Sequence, residues 1–120
     1  MAIQRIHSGS PFEDKVGYCR AVVAGGWVHV AGTVGQGDTV QEQCQSALAT
    51  IQDALEKAGA SFCDVVRVTY ILPEASDFEL CWPYLRDAFG ENPPVATMFE
   101  SGLILPEYRI EIEVTALLPE

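Results

Sequence analysis

Apolar and polar positions along the chain follow two periods, and the changes between them mark out its elements. Arg20-Ala21-Val22-Val23-Ala24 runs into Gly25-Gly26, after which Trp27-Val28-His29-Val30-Ala31 opens a second β-rich run. Paired glycines supply the positive φ that a tight turn demands, so the stretch predicts a β-hairpin. In its second strand Val28 and Val30 share one face, while Trp27, His29 and Ala31 share the other. From Thr39 the period lengthens, and Val40, Cys44, Ala47, Leu48, Ile51, Leu55 and Ala58 recur at helical spacing. This is an amphipathic helix of roughly five turns. Asp38 or Thr39 is its candidate N-cap, with Glu42 close behind, and Gly59 fits the position just past its end.

Val65 to Leu72 is too β-branched for a helix and too apolar for an exposed edge, which predicts a central strand stopped by Pro73. Ser76 or Asp77 is placed to cap a second helix with Phe78, Trp82, Leu85 and Phe89 on one stripe and Gly90 at its end. Pro83 suits only a first turn, so the regular helix is expected to begin late. Val95 to Glu100 reads as a strand, as does Tyr108 to Leu117, where Ile110, Ile112 and Val114 oppose Arg109, Glu111 and Glu113. The order β-β-α-β-α-β-β, with room for one more N-terminal strand, makes an α+β domain over residues 1–120: a mixed sheet with both helices on one face. The other face carries Trp27, Thr69 and Ile71 and would be wet in a monomer, which favours self-association.

Charge narrows the possible partners. Seventeen acidic against seven basic residues give a net charge of −10, so a phosphate backbone meets repulsion and no nucleic-acid partner is expected. Cys19, Cys44, Cys63 and Cys81 form no C-x-x-C pair, and neither His7 nor His29 has a spaced ligand partner. No metal and no cofactor is therefore expected, and all four cysteines read as packing residues. Gly35-Gln36-Gly37 lacks the spacing and the lysine of a phosphate loop, which leaves a flexible turn. No charged-then-apolar leader and no membrane-length apolar run is visible, so a cytoplasmic protein with reduced thiols and no membrane contact is expected.

Five segments, in order and at matching spacing, carry a family likeness: Gly17-Tyr18-Cys19-Arg20-Ala21-Val22, Val30-Ala31-Gly32, Ala58-Gly59-Ala60-Ser61 followed by Asp64-Val65-Val66, Phe89-Gly90-Glu91-Asn92-Pro93-Pro94, and Ile110-Glu111-Ile112-Glu113. Over almost its whole length the chain resembles the RidA/YjgF family. The resemblance implies a chorismate-mutase-like fold and a homotrimer with small-molecule clefts between its subunits. It also implies deamination of reactive enamines and imines to 2-oxo acids, although some members carry an endoribonuclease label. Carried over position by position, the water-positioning glutamate falls on Glu111 and the cleft tyrosine on Tyr18. The serine–glycine pair falls on Ala31 and Gly32, the helix asparagine on Trp82, and the cleft cysteine on Met98, after Thr97.

The substrate-clamping arginine of the family falls on Ala96, which offers no donor for a carboxylate. Arg20 and Arg109 are the surrogates to inspect. Trp82, on the apolar stripe, reads as core packing when the likeness is set aside. Two functions compete: a cleft protein acting on imines with an altered anchor, and a non-catalytic trimer that binds a ligand or a protein partner. A ribonuclease ranks below both, because no histidine pair or lysine–histidine set is available for acid–base cleavage.

Overall fold

A computed structural model describes residues 2–120. Six strands form one sheet in the order β1-β2-β3-β6-β4-β5. They are β1 Gln4–Ile6, β2 Ala21–Ala24, β3 Trp27–Val34, β4 Val65–Leu72, β5 Val95–Glu100 and β6 Glu111–Leu117. Three helices, α1 Pro11–Val16, α2 Val40–Ala58 and α3 Phe78–Phe89, complete the α+β architecture. All pairings are antiparallel except that of β4 with β5.

The hairpin forms where the glycines require it. Gly25 and Gly26 take φ of 58° and 84°, and Ala24 pairs with Trp27 across the turn. Of the two N-cap candidates Thr39 caps α2, accepting from the Glu42 N–H while the Glu42 carboxylate accepts from the Thr39 N–H, a reciprocal capping box. Val40, Cys44, Ala47, Ile51 and Leu55 of α2 pack on Val28, Val30, Val68, Ile112 and Val114 of the sheet, all essentially inaccessible to water. This is the core, and it uses one sheet face.

Four sequence expectations need correction. The last strand begins at Glu111 rather than Tyr108, because the Gln43 side chain takes the backbone there. Gln43 accepts from the Arg109 N–H at 2.8 Å and donates to the Glu107 carbonyl at 3.0 Å, which removes that segment from the ladder. Helix α3 does not begin late: Pro83 sits in its interior. The bond lost is the one to the Glu79 carbonyl, and both residues are exposed, so water can take its place. Asp77 occupies the N-cap of α3 without a side-chain cap bond, since its carboxylate is held by Arg109 Nη2 at 2.9 Å. Of the cysteines only Cys44 and Cys81 are buried, while Cys63 is exposed and Cys19 partly so.

Helix α1 is too short for any period in the sequence to predict it. Ser10 caps it, Pro11 opens it, and Gly17 closes it at φ 93°. Beneath it Glu13 is buried, accepting from the Ser8 N–H at 3.2 Å and from the Ser8 hydroxyl, with His7 Nδ1 at 3.1 Å. Burial alone would raise this carboxyl's pKa. The Ser8 bonds, His7 and the Arg20 charge outweigh burial and hold it below the ordinary value. The anchored turn fixes where the chain emerges at Tyr18.

The face opposite the helices is uncovered in the single chain. Trp27 is 40% exposed, Phe99 50% and Val95 59%, and every residue of β5 is exposed. No described helix is long and apolar enough to cross a membrane.

Candidate functional site

The site grows from an irregularity in β3. Pairing with β6 shifts register between Val30 and Thr33, a bulge that takes Ala31 and Gly32 out of the regular ladder. The Gly32 carbonyl is satisfied by Arg20 instead, whose Nη1 donates to it at 3.1 Å and to Thr33 Oγ1 at 2.8 Å. Thr33 in turn donates to the Ala31 carbonyl at 2.7 Å. The main chain of Arg20 is fixed on both sides, donating to Ile6 and accepting from the Ala31 N–H. Tyr18 leaves α1 with its own N–H on the Glu13 carbonyl and lies against Arg20, ring centroid 5.5 Å from the guanidinium carbon.

Glu111, first residue of β6, reaches across to the bulge. A Cβ added at Gly32 would fall 3.0 Å from Glu111 Cδ and closer still to Oε2, so any side chain at position 32 would push this carboxylate from its place. Glu111 is half-buried. Burial raises its pKa above the usual carboxylate value, Glu113 adds to the rise, and the positive charge of Arg20 opposes it. An open groove of about 480 Å³ runs along the neighbouring residues, lined by Tyr18, Cys19, His29, Ala31 and Glu113 with adjoining β2, β3 and β6 residues, while Gly32, Glu111 and Arg20 lie next to it and outside its wall.

The residues singled out in the sequence therefore fall into two groups. Tyr18, Ala31, Gly32 and Glu111 lie at the bulge. Trp82 and Ala96 line a separate apolar cavity of about 300 Å³ with Val68, Tyr70, Phe89 and Pro94. Trp82 is 44% exposed, so it is a cavity wall and the core-packing reading of it fails. The core stripe of α3 is Cys81, Leu85 and Phe89, and Trp82 packs edge-on against Phe78 at its margin, ring centroids 6.3 Å apart. Thr97 pairs with Thr69 and Met98 with Tyr70, which places them on opposite faces of β5. Three strand spacings of about 4.8 Å separate Gly32 on β3 from β5 and two separate Glu111 on β6 from it, so within one chain the groups are roughly 10–14 Å apart.

Arg109 is not at the bulge; Asp77 holds it at the start of α3. Arg20 is at the bulge. Sequence reasoning passed over Thr33, whose bond to Arg20 exists only because of the register shift. Among the described residues no cluster of His, Cys, Asp or Glu is arranged to hold a metal ion.

The family model described as "Endoribonuclease L-PSP" matches residues 10–118. A crystal structure of a YjgF/YER057c/UK114 family member from Mycobacterium tuberculosis superposes with a TM-score of 0.94 at 41% identity, covering 98% of this chain and 100% of that one. A RutC family protein of Pyrococcus abyssi is 32% identical over 82% of this chain and 84% of its own. The human 2-iminobutanoate/2-iminopropanoate deaminase is 26% identical over 96% and 90% respectively. Family model, relatives and fold agree: this chain belongs to the RidA/YjgF family, the endoribonuclease L-PSP family of the matching model.

Proposed function

We propose that this protein is a RidA-type cleft protein that takes small imines, enamines or 2-oxo acids and hydrolyses imines through Glu111. One observation carries the reading: a half-buried carboxyl with a raised pKa, seated against a glycine that only just admits it, beside an open groove. A base whose pKa is raised toward the working pH is suited to proton transfer. In the proposed step a water oxygen bonds to the carbon of a protonated imine while the water proton passes to Glu111. The C=N electron pair goes to nitrogen. Glu111 returns the proton to that nitrogen, ammonia leaves with the C–N pair, and the hydroxyl passes its proton to the again ionised Glu111 as the C=O forms, from which it is lost to water.

Two groups of site residues separated within one chain also favour a homotrimer, in which the β5 edge of one subunit closes the bulge of the next. Ala96 then stands where the family's arginine would meet the substrate, and hydrolysis should run slower than in arginine-bearing relatives. The test is 2-iminopropanoate made by an amino-acid oxidase, with semicarbazide trapping what is not hydrolysed. Ala96→Arg should raise kcat/KM by about ten- to a hundredfold. Wild-type turnover equal to that of an arginine-bearing relative would remove any role for Ala96.

Gly32→Ala must push the Glu111 carboxylate aside, and a displacement of about 1 Å costs on the order of 10²-fold in rate. Undiminished turnover in a folded Gly32→Ala protein would dissociate Glu111 from the chemistry. Single-stranded RNA should survive incubation with purified protein, given the net charge of −10. Cleavage that persists through several columns and disappears in Glu111→Gln would support the ribonuclease reading instead.

A further inference from the structure

We infer that Arg20 is the carboxylate anchor of this site, gripping a small 2-oxo or 2-imino acid with the Nε–Nη2 edge of its guanidinium. The inference rests on the bulge being a ligand site and specifies which ligand chemistry it takes.

Arginine offers five N–H donors in a planar fork. At Arg20 the two donors of Nη1 are spent, on the Gly32 carbonyl at 3.1 Å and Thr33 Oγ1 at 2.8 Å. Nη2 makes one long contact, 3.4 Å from the Tyr18 hydroxyl. Nε is buried and has no acceptor among the described residues. The two under-used nitrogens are neighbours. Nε–H and one Nη2–H point the same way along one edge of the plane, the arrangement that receives both oxygens of a carboxylate at once.

Charge points the same way. Arg20 is only 7% exposed, yet among the described residues no carboxylate oxygen lies within salt-bridge distance of it. Buried cations are ordinarily paired, and an orphaned buried donor is costly. Glu13, Glu111 and Glu113 surround the region and would repel an anion on their own. The unpaired guanidinium is the one group at the bulge that can attract it. Arg109 cannot take this part, since Asp77 already neutralises it.

Both main-chain bonds of Arg20 and both Nη1 bonds fix the guanidinium before any ligand arrives, while its Nε is closed to water, so a ligand reaches this edge only when Tyr18 moves. Tyr18 is the way in. It is 37% exposed, follows the left-handed Gly17, and holds Nη2 only by the long hydroxyl contact. A carboxylate displaces that hydroxyl and leaves the ring over the guanidinium.

The experiment is proton–nitrogen NMR of the Arg Nε–H signals of the intact protein, titrated with pyruvate and, as an uncharged control, pyruvamide. The Arg20 Nε–H signal should move saturably with pyruvate and stay still with pyruvamide. Arg20→Lys, which keeps the charge but not the fork, and Arg20→Gln should each weaken pyruvate binding by at least about tenfold. The wild-type titration decides the matter even if both variants fail to fold. Pyruvate-induced shifts at Tyr18, Gly32 and Glu111 with a stationary Arg20 Nε–H would overturn the anchor and leave the cleft reading standing. No response at those residues to either compound, together with no imine hydrolysis, would overturn both.

Discussion

Glu111→Gln should abolish imine hydrolysis and make the protein more stable at neutral pH. The first effect follows from removing the only proton acceptor proposed for the water, a loss of about 10²–10⁴-fold that should bring turnover close to background. The second follows from the direction of the Glu111 shift. Its folded-state pKa lies above the ordinary 4.5, so the folded protein binds that proton more tightly than the unfolded chain does. As pH rises from below 4.5 through the raised value, the wild type loses stability that glutamine, which cannot ionise, keeps. The melting-temperature difference between variant and wild type should be smallest near pH 4 and widen toward pH 7. A variant less stable than wild type at pH 7, or a difference that does not change with pH, would show that the carboxylate is not held at an electrostatic cost.

Ile71→Asp should break the assembly. Ile71 lies beside Glu111 and Phe99 in the sheet register, on the face without helices, where Trp27, Val95 and Phe99 are open to water in a single chain. Covering several hundred Å² of such surface per subunit is worth on the order of 10 kcal/mol at about 25 cal/mol per Å², before association entropy is subtracted. A buried aspartate there has no partner with which to offset its desolvation. Light scattering at micromolar concentration should give three times the 13.1 kDa chain mass for the wild type and a single chain mass, or unfolded protein, for the variant. A monomeric wild type would remove the intersubunit clefts and with them the roles given to Ala96, Thr97 and Met98.

What the sequence made legible was local. The Gly25-Gly26 hairpin and the capped helix α2 each follow from neighbours in the chain, and both formed where expected. Tyr108–Ile110 reads as strand by the same local rules, but its backbone is claimed by Gln43, 66 residues from Arg109, a contact no period reveals. Trp82 was misread for a related reason. Helical spacing tells which residues share a face, not how much of that face the sheet covers, and Trp82 stays 44% exposed on the wall of a cavity it shares with Ala96 of the edge strand β5. Helix α1 is six residues long, too short for a period to show, although Ser10, Pro11 and Gly17 marked both its ends. At the site, Tyr18, Gly32 and Glu111 came from family resemblance. The environment of Arg20 depended on the bulge and became visible only in three dimensions.

The most direct measurement is a crystal structure of the protein soaked with a panel of small 2-oxo acids. The expected result is three chains around a threefold axis, with a 2-oxo acid between Tyr18, Gly32 and Glu111 of one subunit and the β5 edge of the next. Density for the acid elsewhere, or chains packed without the uncovered sheet face buried, would contradict the account.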